Sequence, residues 1–122
     1  MLINCTNHPY KIWNEPQRKG ALEYGEVIDI PFPVIEPEYT GAKIRDIVTE
    51  YADRIKEYNP DAVLVAGEYT FAFMLVDKLL KDNIKVVCSC SKRVTTEIKK
   101  DDGTNEKSSV FLFEGFREYE YY

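Results

Sequence analysis

Residues Ala62-Val63-Leu64-Val65-Ala66 form an uninterrupted run of small apolar side chains, bounded by Asn59-Pro60 before it and Gly67 after it. A strand that is apolar at every position leaves no face for water, so it belongs inside a sheet covered on both sides. Parallel sheets meet that demand, because each crossover carries a helix back over one face. The residues just before the run supply such a helix. Ile44, Ile47, Val48, Tyr51, Ala52, Ile55 and Tyr58 recur at helical period along one stripe, and Thr40 is placed to cap its start.

The rest of the chain repeats this alternation. Leu2-Ile3-Asn4-Cys5 reads as a first strand that runs into the polar turn Thr6-Asn7-His8-Pro9. A helix over about Asn14 to Tyr24 follows, with Asn14 as cap, Pro16 in the first turn and Gly25 as terminator. Val27-Ile28-Asp29-Ile30 forms a second strand that Pro31-Phe32-Pro33 stops. A third helix, Phe71 to about Lys81, is apolar nearly all round, which suits deep burial or a partner subunit. Ile84 to Cys90 makes a fourth strand, which Ser91-Lys92-Arg93 is expected to close as a loop. Val94 to Ile98 and Ser108 to Phe116 are β-like on either side of Asp101-Asp102-Gly103, a hairpin turn. The pattern predicts one α/β domain over residues 1–122: a Rossmann-like, three-layer, mostly parallel sheet with a C-terminal β-hairpin appended at about residues 94–119.

Composition narrows the partners. A chain of 122 residues is long enough to bury a core without disulfides or metal, so no cofactor is expected. Sixteen Lys and Arg against 21 Asp and Glu give a net charge of −5, which repels duplex DNA and anionic membranes. No run approaches the ~18 apolar residues of a membrane span, and Met1-Leu2-Ile3-Asn4 lacks a signal-peptide pattern, so the expected compartment is the cytoplasm. Cys5, Cys88 and Cys90 are an odd number and read as buried, reduced thiols. A zinc site would need a fourth ligand beside the only histidine, His8, so no metal is expected either. The glycine-rich signatures of dinucleotide dehydrogenases and P-loop NTPases, and the G-x-S-x-G of α/β-hydrolases, are missing.

In open α/β sheets ligands bind outside the carboxyl ends of the strands, which selects Thr6 to Asn14, Pro31 to Thr40, Gly67 to Thr70, and Ser91 to Arg93. Helix N-termini beside Lys92 and Arg93 suit an anion. Gly67 would let a ligand approach the backbone, and Thr70 would cap the third helix or donate to a phosphate oxygen; both also fit a plain strand-to-helix turn. His8 is of the residue type best suited to moving protons near neutral pH, and equally to pinning a loop. Glu68 is either a ligand-facing carboxylate or an acid complementing a helix start. Trp13, Phe32 and Tyr69 offer faces for a base, with core packing the competing use of Trp13.

Asn7-His8 after the first strand, an apolar third strand entering Gly67-Glu68-Tyr69-Thr70, Ser91-Lys92-Arg93, and a charged hairpin ending in Phe116-Arg117-Glu118-Tyr119 together resemble the small stand-alone CRISPR-associated proteins of the CARF superfamily. The resemblance implies a metal-independent ring nuclease of antiviral defence that binds and cleaves cyclic oligoadenylate, with tetra-adenylate the expected ring, and so switches off ancillary effectors of type III CRISPR systems. It implies Lys92 and Arg93 for phosphate charge, Asn7 and His8 for ribose orientation or proton transfer, and Thr6, Trp13, Gln17, Gly67, Glu68, Tyr69, Thr70 and Ser91 around the ligand. A two-fold ring ligand implies a homodimer, for which the apolar third helix is one contact. The alternatives are a sponge that holds the ring without cutting it, and a regulatory subunit using Tyr119, Tyr121 and Tyr122 for protein contacts.

Overall fold

The computed structural model describes residues 1–122. Its strands are β1 (Leu2–Cys5), β2 (Val27–Asp29), β3 (Ala62–Val65), β4 (Val86–Lys99) and β5 (Asn105–Glu118), and its helices are α1 (Glu15–Ala21), α2 (Gly41–Glu57) and α3 (Tyr69–Lys81). The five strands make one sheet in the order β2-β1-β3-β4-β5. All pairings are parallel except β4 with β5.

Every residue of β1 and of β3 is buried, as central strands covered on both faces require, the Asn4 amide of β1 included. Their side chains alternate between two cores. Ile3, Cys5, Val63 and Val65 pack with Ile44, Val48, Ala52 and Ile55 of α2 and with Phe71, Leu75, Val76 and Leu79 of α3. Leu2, Ala62 and Leu64 turn the other way, onto Trp13 and onto Ala21 of α1. The sheet therefore has α1 on one face and α2 with α3 on the other, the three layers that the sequence predicts. No helix of the chain is long and apolar enough to cross a membrane.

Local signals act where they were read. Thr40 Oγ1 accepts from Lys43 N at 3.2 Å to cap α2, and Asn14 Oδ1 accepts from Gln17 N at 3.1 Å to cap α1. The α1 region is shorter than expected, however: the α-helix ends at Ala21 and a 3-10 turn, Leu22–Tyr24, leads into Gly25 at φ 85°. The helix α3 starts at Tyr69, two residues earlier than Phe71, because Glu68 rather than Thr70 caps it.

The largest correction concerns the C-terminal third. Ser91-Lys92-Arg93 does not close the fourth strand; β4 continues through it to Lys99, and the hairpin spans Val86 to Glu118 instead of beginning near residue 94. The segment contains no Gly, Pro, Asn or Asp with which to turn, and Val94, Thr95 and Thr96 extend it as β-branched residues. Only a bulge at Cys90/Ser91 interrupts the ladder. The real turn is at Asp101-Asp102-Gly103, where Asp102 Oδ1 accepts from Thr104 N at 2.9 Å and Gly103 takes φ 85°. Beyond Val87, the last residue of β4 with a partner in β3, the two strands continue as a two-stranded ribbon whose base still packs on the α1 side, with Phe113 against Gly20 and Phe116 against the smaller core.

Phe71 is the keystone of the larger core, fully buried with its ring edge-on to Phe32 at 5.0 Å and to Tyr51 at 5.4 Å between centroids. Phe71→Ala is expected to cost about 3–5 kcal/mol of stability, measured by denaturant unfolding. A loss below about 1 kcal/mol would contradict this packing.

Candidate functional site

The sheet order reverses direction between β1 and β3: the chain first moves outward to β2 and then returns across β1 to β3. The crevice outside the carboxyl ends of two such strands is where open α/β sheets bind ligands. A pocket of about 270 Å³ lies there, lined by Thr6 and His8 after β1, Leu64 and Ala66 of the β3 end, Ser89 of β4, and Ile12, Trp13, Asn14 and Gln17 from the segment leading into α1. Its volume is close to the lower end of about 300 Å³ for small-molecule sites.

A buried polar network builds its floor. Asn4 and Thr6 are the two buried polar residues of the chain. Asn4 Nδ2 donates to the His8 carbonyl and to Asp29 Oδ1, each at 2.8 Å, while Thr6 Oγ1 donates to Asn4 Oδ1 at 2.8 Å. Trp13 Nε1 also donates to the His8 carbonyl, at 2.9 Å, and His8 N donates to Thr6 Oγ1 at 3.1 Å. Asp29 Oδ1 further accepts from Tyr10 N at 3.2 Å. The backbone of His8 is thus held at both its amide and its carbonyl, with the side chain left exposed at the pocket.

Of the residues singled out in the sequence, Thr6, His8, Trp13 and Gln17 come together in this pocket. Trp13 serves both readings: it is 7% exposed in the smaller core and still lines the cavity. Asn7 is exposed beside His8 and lines nothing. The Gly67 to Thr70 group does not line the pocket either. It heads α3, which packs on the opposite face of the sheet.

That group has local work of its own. The Glu68 carboxylate accepts from Phe71 N at 2.8 Å, Thr70 N at 3.0 Å and Thr70 Oγ1 at 2.7 Å. The first amides of α3, and the Thr70 hydroxyl expected to meet a phosphate, are therefore already taken by a carboxylate of the same chain. These bonds, the Phe71 amide first, hold the Glu68 carboxyl below its ordinary value. At Gly67 a Cβ would stand 2.5 Å from Phe32 Cζ, so the buried Phe32 ring requires a glycine there. Phe32 consequently packs on Phe71 rather than facing a base, and Tyr69 stands 88% exposed at the head of a second groove.

Ser91, Lys92 and Arg93 sit on the ribbon opposite Phe113, Leu112 and Phe111. Side chains alternate along a strand, so Arg93 shares a face with Ser89 and the pocket, whereas Lys92 points to the other face. Four extended residues put Arg93 roughly 13 Å beyond Ser89 along β4, above the pocket rather than in it. Its Nη2 donates to Ser109 Oγ at 3.3 Å.

Of the three thiols expected to be buried, only Cys5 is; Cys88 and Cys90 are half-buried on the strand that runs out past β3. Burial pushes Cys5 up to about 12, and burial followed by the neighbouring Cys90 raises Cys88. No three His, Cys, Asp or Glu side chains converge in a way that would hold a metal ion. Sequence reasoning missed Asn4, Asp29 and Ser89 as site residues, and read Asn14, at the end of the selected Thr6 to Asn14 segment, only as a helix cap. Asn4 alone carried a signal, an amide in the middle of an otherwise apolar strand.

Fold and crevice define the class: an α/β domain with a small pocket of polar, aromatic and aliphatic side chains at its switch point, beside a β-ribbon. The chain belongs to the family described as Uncharacterized protein MJ1673 family, whose model matches residues 1–117. No curated protein and no solved structure matches the chain.

Gly67→Ala is expected to destabilise the fold by about 1–3 kcal/mol through the Phe32 ring. A neutral result in denaturant unfolding would restore Gly67 as a ligand-approach position. Glu68→Gln is expected to lower stability above pH 4.5, the ordinary value of this carboxyl. Because folding lowers that value, the wild-type advantage is complete above it and fades as pH falls through the folded-state value. Thermal unfolding of both proteins from pH 7 to pH 3 reads the convergence.

Proposed function

We propose that the protein binds cyclic oligoadenylate by taking one nucleoside unit into the switch-point pocket and leading its phosphate out toward Arg93. The observation that carries this reading is the lining: an indole, two side-chain amides, an imidazole and two hydroxyls beside three aliphatic side chains, with no Lys, Arg, Asp or Glu among them. Such groups suit the edge and face of a base and the hydroxyls of a ribose, not a bare phosphate. A cavity of about 270 Å³ takes one unit of the ring, so the remainder would lie outside, over the ribbon and a second subunit.

The same site supports slow cleavage. The ribose 2′-hydroxyl attacks the adjacent 3′-phosphate, the 5′-oxygen leaves, and the products are a 2′,3′-cyclic phosphate and a 5′-hydroxyl. His8 is the group that takes the 2′ proton or gives one to the 5′-oxygen, since its backbone is pinned while its ring is free. In-line orientation is then the main source of rate. A messenger sponge is the second reading, favoured by one feature: the amides of α3 are capped by Glu68 and Lys92 faces away, which leaves little positive charge for the transition state.

A thermal-shift panel of cyclic oligoadenylates is expected to show stabilisation by the tetra-adenylate ring, and Trp13→Ala to abolish it. His8→Ala is expected to keep the shift and slow ring opening by roughly 10² to 10⁴. Recovery of intact ring from the wild-type protein would select the sponge. No shift with any ring size would end the proposal.

A further inference from the structure

The helix α3 carries two apolar stripes, and the core uses one of them. Phe71, Leu75 and Leu79 are fully buried in the larger core, whereas Tyr69, Phe73, Val76 and Leu80 fall at i, i+4, i+7 and i+11 along a second stripe, on which Tyr69 is 88% and Phe73 76% exposed. The chain beyond β5 runs beside that stripe. Tyr119 N donates to the Val86 carbonyl at 2.8 Å, and Tyr119, Tyr121 and Tyr122 enclose with α3 a groove of about 670 Å³. That is more than twice the volume of the switch-point pocket and lies within the range of about 300–1,000 Å³ for small-molecule sites. We propose that this groove is a second ligand site, built for a lipophilic organic cation: a positively charged onium or ammonium centre carried on an apolar body.

The lining sets the sign of the charge. Half of its residues are aromatic, the charged ones are Asp77 and Glu120, and it contains no Lys or Arg. The faces of tyrosine and phenylalanine rings carry negative potential, so they attract a cation and repel an anion, and the two carboxylates act in the same sense. The net charge of −5 adds a long-range pull of that sign. Val76 and Leu80, between the two walls, offer the apolar contact that a lipophilic body needs.

This corner of the surface already holds a cation of the chain's own. Lys81 Nζ lies 2.7 Å from Asp77 Oδ2, one helical turn along α3. The two side chains are 65% and 40% exposed, so water screens the pair and it holds weakly. An incoming cation can therefore take the place of the lysine at Asp77 and leave no buried charge unpaired. The switch-point pocket, lined by amides and hydroxyls on the α1 face of the sheet, offers none of this chemistry.

Tetraphenylphosphonium and tetraphenylborate test the proposal, because the two ions share a shape and differ in sign. Calorimetric titration of the full chain is expected to show binding of tetraphenylphosphonium and none of tetraphenylborate. Phe73→Ala is expected to weaken binding of the cation roughly two- to thirtyfold, and Asp77→Asn about two- to fivefold. Lys81→Ala, which frees Asp77, is expected to tighten it. All three side chains lie at the surface, so the fold tolerates their replacement. Equal binding of both ions, an affinity for the cation that Phe73→Ala and Asp77→Asn leave unchanged, or no binding of tetraphenylphosphonium overturns the proposal. Sedimentation of the wild type as a dimer that Phe73→Ala dissociates would give the groove to a second copy of the chain and overturns it as well. No nucleotide enters these measurements, so their failure is separate from failure of the thermal-shift panel.

Discussion

Two-sided burial of β1 and β3 is the constraint on which the rest depends. With all of their residues inside, each strand must feed two cores, and the chain must therefore place crossover helices on both faces. Right-handed crossovers then allow α1 on one side only if β2 lies beyond β1, and α2 with α3 on the other only if β3 and β4 lie in the opposite direction. The reversal between β1 and β3 is the geometric outcome, and the crevice follows from it. The pocket is thus a by-product of how the hydrophobic strands are covered.

What makes the crevice chemically specific is the polarity admitted at its floor. An amide buried at Asn4 is tolerated because its Nδ2 and Oδ1 find partners in His8, Asp29 and Thr6, so desolvation is offset by hydrogen bonds. The network spans three separate pieces of chain: the end of β1, the end of β2 and the turn before α1. Trp13 joins it through its indole N–H while filling the smaller core with its ring. Packing and site construction are here the same set of contacts, and that is why the His8 loop is fixed while the His8 ring is not.

Much of this was legible in the chain before any coordinates. The all-apolar run at Ala62 to Ala66, the heptad-like stripe from Ile44 to Tyr58, the caps Asn14 and Thr40, and the turn at Asp102-Gly103 each rest on interactions within a few residues, and each appears where it was read. Three residues of the pocket, Thr6, His8 and Trp13, lie in a segment selected by the rule that ligands sit at strand ends, and a fourth, Gln17, came from the family resemblance. The Ser91 to Arg93 segment was misread because its polar, charged side chains resemble a loop, whereas its backbone pairs with Phe111 to Phe113, some twenty residues later. Gly67 was open to two readings that differ only in the identity of the neighbour, and that neighbour is Phe32, distant in sequence.

The sequence by itself determined the alternation of elements, the layer count, the helix boundaries to within a turn, and the strand end at which a ligand belongs, because periodicity, capping and turn chemistry are local. Only the tertiary structure decided that Glu68 consumes the amides of α3, that Asn4 and Asp29 hold His8, and that Lys92 and Arg93 ride on opposite faces of a ribbon. These depend on which distant backbone atoms meet and on strand register, where a shift of one residue reverses every side chain.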